Sequence, residues 1–302
     1  MKKIVLLFFT SIAFGQSPEV SLGKIQHIEN FPSKYVDARN IDVWMPEGYS
    51  VSEKYAVLYM HDGQMLYDAA TTWNKQSWEV DEVAGKLIRE GKTKKFIVVG
   101  IWNNGSKRHP EYFPQKPFEN LLPTQKDTIT AQLQKAGRTK EKFQPISDLY
   151  LKFLVTELKP YIDNHFSTLK NRENTVIAGS SMGGLISMYA ICEYPEVFGG
   201  AACISTHWPG TFSSENNPIP DAFLNYMNSH LPDPKTHQFY FDYGNKTLDA
   251  LYPELQKKVD LLMKNKGFTP STWTTQFFEG KDHSEKSWTE RLHIPFEFLL
   301  KK

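Results

Sequence analysis

Hydrophobic positions along the chain change their period again and again, and each change marks a new element. Ile41-Asp42-Val43-Trp44-Met45 alternates and stops at Pro46, as an extended strand does. Residues 55–60 and 96–102 are continuous apolar runs, which suit central strands covered on both faces. Residues 175–178, 200–204, 238–243 and 272–278 read as further strands. Between them apolar residues return every three or four positions and predict helices. The first spans 77–89, with Trp78, Val80, Val83, Leu87 and Ile88 on one stripe. The second spans 149–162, with Leu149, Phe153, Leu154, Leu158 and Ile162 inward. Others follow at 182–193, 220–229, 248–266 and 284–300. Strands alternating with helices predict an α/β fold with a mostly parallel, doubly wound sheet and helices on both faces. There is no internal repeat. Residues 105–146 interrupt the rhythm: they are rich in Pro, Gly, Lys and Gln and predict one short helix, at 127–136. Connections of that length are as a rule functional or mobile, so this one reads as a cap or rim within a single domain, 16–302.

The N-terminus carries a different pattern. Lys2-Lys3, the apolar run Ile4 to Phe9 and small residues including Ala13 and Gly15 describe a secretory leader cleaved after Gly15. Residues 1–15 are therefore expected to be a signal peptide, and the mature protein secreted or periplasmic. The run is too short to span a bilayer, and no other stretch is long and apolar enough. Loss of Lys2 and Lys3 turns the formal net charge of +1 into −1. No field of one sign is left to attract nucleic acid or an anionic membrane. Cys192 and Cys203 are too few for a disulfide framework and fall in apolar stretches, so free buried thiols are expected.

The chemistry centres on Gly179-Ser180-Ser181-Met182-Gly183, a G-x-S-x-G directly between the strand 175–178 and the helix 182–193. That setting is the one a nucleophile elbow requires. The glycines permit a tight turn, the serine backbone is strained, and the hydroxyl is lifted to a helix N-terminus that favours negative charge. Ser181 is the candidate nucleophile; Ser180 points elsewhere in this register. Chain order in such folds places the acid and then the base downstream. His283 lies in the loop between the last strand and the last helix, on the same sheet edge as the elbow. Among its competitors, His293 lies within a helix, His230 ends one, His237 precedes a strand, and His207 precedes every acid in the expected slot. For the acid, Asp242 and Asp249 both qualify. Asp249 is favoured because the turn Gly244-Asn245-Lys246-Thr247 can carry it to His283, whereas a carboxylate inside a strand commonly caps a backbone N–H. An oxyanion needs two N–H donors. Met182 supplies one, and Gln64, in the loop His61-Asp62-Gly63-Gln64, supplies the other. His61, Asp62 and Asp68 lack metal-ligand spacing, so no metal or organic cofactor is expected.

These stretches resemble the putative-esterase family of α/β hydrolases, which includes enterochelin-type siderophore esterases, feruloyl and acetyl-xylan esterases, esterase D and the mycolyltransferases of the antigen 85 complex. The similar segments are Asp42 to Tyr49 (DVWMPEGY), Leu58 to Gln64 (LYMHDGQ), Ala178 to Gly184 and Asp282-His283-Ser284-Glu285. Together they cover nearly the whole mature chain. The resemblance implies an α/β-hydrolase fold, a triad of Ser181, Asp249 and His283, and an oxyanion hole at Gln64 and Met182. Around the acid the chain departs, since several members place it nearer the glycine than Asp249 lies to Gly244. Arg108 and Glu111 also resemble a family pattern and are expected to pair with each other.

Aromatic residues gather in loops at the expected edge, among them Tyr67, Trp102, Tyr112, Phe113, His207 and Trp208. Trp102, Tyr112, His207 and Trp208 are the expected substrate-binding residues, for an apolar or aromatic acyl group or a stacked sugar. The reading is a secreted serine esterase acting on a small-molecule or carbohydrate-linked ester. Two rivals stand beside it: an acyltransferase of the same fold, and a non-catalytic binding protein on a hydrolase scaffold. The sequence is silent on oligomeric state.

Overall fold

Eight strands form one sheet in a computed structural model that describes residues 17–302; the expected leader, residues 1–15, lies outside them. The strands are β1 (Lys24–Phe31), β2 (Arg39–Met45), β3 (Ala56–His61), β4 (Phe96–Ile101), β5 (Thr175–Ser180), β6 (Gly200–Ile204), β7 (Gln238–Tyr243) and β8 (Trp273–Phe277). Their order across the sheet is β1-β2-β4-β3-β5-β6-β7-β8. Strand β2 runs antiparallel to both β1 and β4, and from β4 to β8 every pairing is parallel. Strands β3 to β6 are buried along their whole length, as their unbroken apolar runs require. Alternate side chains enter two separate cores. Val57, Tyr59, Ile97 and Ile177 face one, and Leu58, Met60, Val98 and Ala178 face the other. This is an α/β-hydrolase fold.

The helices are α1 (Val80–Arg89), α2 (Arg108–Tyr112), α3 (Gln115–Glu119), α4 (Pro123–Lys135), α5 (Ser147–Phe153), α6 (Lys159–His165), α7 (Met182–Glu193), α8 (Ile219–His230), α9 (Pro253–Asn265), α10 (Glu285–Thr289) and α11 (His293–Leu299). Two predicted helices are interrupted, and proline explains both. A π turn, Leu154–Leu158, joins α5 to α6 just before Pro160, which has no N–H to give a regular helix. The final helix splits into α10 and α11, with Pro295 in the first turn of α11, where a missing N–H costs nothing. Leu149, expected inward, is exposed, and Tyr150 and Leu151 are buried instead.

Strand β1 has no counterpart among the predicted elements. Its register shifts between Ile28 and Phe31, and that irregularity destroys the two-residue alternation by which a strand is read. Residues 105–146 also differ from expectation. They form α2, α3 and α4, and bury Tyr112, Phe113, Phe118, Ile129, Leu133 and Phe143. Phe113, Phe118 and Phe143 meet edge to face at 5.2–5.8 Å. The segment is a packed layer over the sheet. Cys192 and Cys203 are buried and free, and no described helix is long and apolar enough to cross a membrane.

The strand order also places the site. From β3 the chain moves to β4 on one side, then crosses back to β5 on the other. Ligands of open α/β sheets bind outside the carboxyl ends of strands at such a reversal. Here those ends are the loop after His61 and the turn at Ser181.

Candidate active site

Ser181 sits between β5 and α7 with φ 58° and ψ −120°, a conformation that an L-residue holds only when its surroundings enforce it. The enforcement is visible. Its N–H donates to the Ile204 carbonyl at 2.9 Å, and its own carbonyl accepts from Gly184, Leu185 and His207. A Cβ on Gly179 would stand 2.8 Å from the Gly183 carbonyl carbon, so the turn closes only with glycine there. Helix α7 is buried from Met182 to Cys192, which fixes the elbow rigidly.

His283 and Asp249 approach from the far side of the sheet. His283 Nδ1 lies 2.6 Å from Asp249 Oδ1, and Oδ2 accepts from the Gly244 N–H at 2.6 Å and the Ser205 hydroxyl at 2.7 Å. Ser205 Oγ itself accepts from Trp288 Nε1 and Arg291 Nη2, so its proton is directed to Asp249. With Asp249 wholly an acceptor, His283 carries its proton on Nδ1 and presents Nε2 as a base. Gly244 can only be glycine, because a Cβ would stand 2.1 Å from the Lys281 carbonyl oxygen. Asp242, the competing acid, has no described bond to His283: it is buried in β7, is bound by Arg291 at 2.9 and 3.2 Å, and accepts the Ser205 N–H at 3.0 Å. Sequence reasoning missed Ser205, Trp288 and Arg291, whose partners are distant in the chain.

After β3 the chain turns at Asp62 (φ 59°, ψ 45°) into a 3-10 turn, Gly63–Met65. Among the described hydrogen bonds, neither the Gln64 nor the Met182 N–H has a protein acceptor. Arg108 and Glu111 do not pair with each other as expected. Arg108 grips Asp62, and Glu111 forms a buried, bidentate pair with Arg39 at 2.7 and 2.9 Å.

A cleft of about 820 Å³ brings together Ser181, Met182, Gln64 and His283, with walls that include Trp73, His109, Arg138, His207, Phe212 and Trp288. Of the four expected substrate-binding residues, His207 lines it. The other three are corrected. Tyr112, the last residue of α2, is fully buried, Trp208 is buried with its Nε1 donating to Gln256, and Trp102 donates to Asp42 outside the cleft lining. Loop position indicated the right edge, but it does not say which way a ring turns.

Burial holds the imidazoles of His61 and His109 down at about 3, and that of His207 well below its ordinary value. All three have an Nε2 without a protein partner. In an NMR titration their ring signals should stay flat from pH 8 to pH 5; a sigmoidal step from any of them in that window would contradict this burial. The unfolded chain takes up these protons below about pH 6.5. The stability contributed by the neutral rings is therefore complete above that pH and drains away as pH falls towards their folded values. For His61 and His109 the loss is about 2 kcal/mol each by pH 5.

The model of the putative esterase family matches residues 34–293. The endo-1,4-β-xylanase/feruloyl esterase of Xylanibacter ruminicola is 27% identical over 304 residues, covering 95% of this chain and 33% of that protein, so the chain spans about a third of that relative's length. A ferulic acid esterase from Anaeromyces mucronatus superposes with a TM-score of 0.61 at 18% identity, over 94% of each chain. The enterobactin esterase of Shigella flexneri gives 0.65 at 15% identity, over 93% of this chain and 60% of that one. A match over residues 34–293, on an α/β-hydrolase fold shared with these structures, shows that the chain belongs to the putative esterase family.

Proposed function

We propose that this protein is a serine esterase that hydrolyses carboxylic esters through an acyl-serine intermediate, with Ser181, His283 and Asp249 as its triad. One observation carries the reading: a serine on a strained elbow and a histidine held 2.6 Å from a buried carboxylate open onto one cleft. In the first step Ser181 Oγ attacks the ester carbonyl carbon as its proton passes to His283 Nε2. Asp249 stabilises the imidazolium, and the Gln64 and Met182 N–H groups receive the oxyanion. Collapse of the tetrahedral species breaks the C–O bond, and the alcohol leaves with the proton from His283. Water then attacks the acyl-serine, giving its proton to His283, and the acid is released while Ser181 Oγ takes the proton back.

The cleft's aromatic walls favour an aromatic acyl group. The relatives named for feruloyl and ferulic acid esters point the same way. The leader pattern of Lys2 to Gly15 supports action outside the cytoplasm. The test is a panel of methyl ferulate, p-nitrophenyl acetate and acetylated xylan, each with and without a large excess of an alcohol acceptor. The expected result is hydrolysis of p-nitrophenyl acetate, the one activated ester, and of methyl ferulate, with methyl ferulate giving at least about a tenfold higher kcat/KM than the unactivated acetyl esters of xylan, a difference of about 1.4 kcal/mol in transition-state binding. No hydrolysis of any ester would overturn the proposal. Dominant transfer to the added alcohol would replace it with the acyltransferase reading.

A further inference from the structure

The loop that carries Gln64 is under tension. Asp62 holds a left-handed conformation, which costs a residue with a Cβ roughly 1 kcal/mol or more, and it does so two residues before the donor it must aim. The next residue is pressed against β4: a Cβ on Gly63 would stand 2.6 Å from the Gly100 carbonyl carbon and 2.8 Å from the Ile101 nitrogen. Within the loop the Met65 N–H donates to the Asp62 carbonyl at 2.8 Å and the Leu66 N–H to that of Gly63 at 3.3 Å, which closes the turn. The groups that hold the Asp62 side chain lie 41 to 46 residues downstream, where the chain leaves β4. Arg108 Nε donates to Asp62 Oδ1 at 2.7 Å and its Nη2 to Oδ2 at 2.6 Å, a bidentate fork. Asn103 Nδ2 adds a third bond to Oδ1 at 2.8 Å. The Asn103 backbone N–H donates to Gln64 Oε1 at 3.0 Å, so one residue grips both Asp62 and Gln64. Tyr112, under the Arg108 guanidinium at 5.2 Å, accepts the Asp62 N–H at 3.3 Å.

We infer that Arg108 and Asn103 are positioning residues, which hold the Gln64 N–H in its oxyanion-binding direction by clamping Asp62. Both line the cleft, and the role inferred for them is exerted on Asp62 and Gln64 rather than on the substrate. The clamp acts through the backbone, and it gives the start of the 105–146 segment a task in the chemistry besides walling the cleft. Arginine suits it because only a planar fork meets both carboxylate oxygens at once; a lysine keeps the charge and loses the geometry. The inference rests on the esterase reading, because it presupposes that Gln64 receives an oxyanion. Removing one such donor costs about 10²–10³ in kcat where it has been measured in other hydrolases. Misaiming one should cost less.

The test compares Asn103→Ala, Arg108→Lys and the double variant Asp62→Asn/Arg108→Gln with the wild type. The double variant leaves no unpaired buried charge, so it should fold where Arg108→Gln alone would be strongly destabilised. Steady-state kcat and KM on an activated aryl ester are read beside the inhibition constant of an aryl trifluoromethyl ketone, which forms a tetrahedral adduct, and beside Tm. The double variant is expected to lose about 10- to 100-fold in kcat, with KM within twofold and ketone affinity down by the same factor as kcat. Asn103→Ala and Arg108→Lys should fall between it and the wild type. A folded double variant that turns over and binds the ketone like the wild type would overturn the clamp, as would a loss confined to KM. Fluorophosphonate labelling of wild-type Ser181 separates the two proposals. If the wild type labels and the double variant is fully active, only the clamp falls; if the wild type does not label, the esterase reading falls and takes the clamp with it. Asn103→Ala, which disturbs no charge, carries the test if the double variant is unfolded.

Discussion

An Asp249→Asn variant should fold normally and lose about 10⁴-fold in kcat, the size of loss seen when a triad carboxylate elsewhere becomes an amide. The hydrogen-bond pattern says why. Asp249 accepts from three groups at 2.6–2.7 Å: the Gly244 N–H, the Ser205 hydroxyl and His283 Nδ1. An amide has one acceptor oxygen. Gly244 and Ser205 both converge on the Oδ2 position, so the oxygen of the introduced amide is held there and its NH₂ faces His283. An imidazole facing a donor must place its proton on Nε2, the atom that has to accept the Ser181 proton. The variant is the same size and loses only the correct tautomer. Asp242→Asn is the contrast. That residue answers Arg291 and lies outside the cleft lining, so its replacement should lower Tm and leave kcat in the folded fraction within a few-fold. Steady-state kinetics and a thermal melt on both variants check this. A fully active Asp249→Asn, or a 10⁴-fold loss in Asp242→Asn, would reverse the assignment.

Ser181→Ala carries the other large effect, a loss of at least about 10⁴-fold in kcat, with a residual rate from the oxyanion hole and binding alone. The substitution is a clean one. The strain at φ 58° falls on any residue with a Cβ, so alanine bears the same backbone cost as serine, and the bonds that hold the elbow are all backbone bonds. Tm should therefore barely move while activity disappears. Ser180, buried one residue earlier in β5, offers an internal comparison, because a hydroxyl there is not raised on the turn. Substantial activity in Ser181→Ala at undiminished Tm would mean that another nucleophile does the work.

What was legible in the sequence has a physical pattern. Strands β6 and β7 and helix α7 match their predicted bounds because they are buried on every side and punctuated by glycine and proline. The elbow was legible because Gly179 and Gly183 have to touch each other, a local steric need that leaves a local mark. Residues 105–146 read as a loop because α2 and α3 are each too short to show a helical period, and their packing comes from rings contributed by several elements. The Asp62–Arg108 and Ser205–Arg291 contacts were invisible, since partners 46 and 86 residues apart leave no pattern along the chain. The same limit misplaced Tyr112 and Trp208. Both lie in segments at the correct edge, and both rings turn into the core.

In the proposed reaction Ser181 Oγ is the atom that becomes acylated. Intact-mass analysis after treatment with an aryl-free fluorophosphonate tests that directly. The wild type should gain one adduct per chain, mapped by peptide sequencing to Ser181, and Ser181→Ala should gain none under the same conditions. An unlabelled wild type that still hydrolyses esters, or equal labelling of Ser181→Ala, would contradict it.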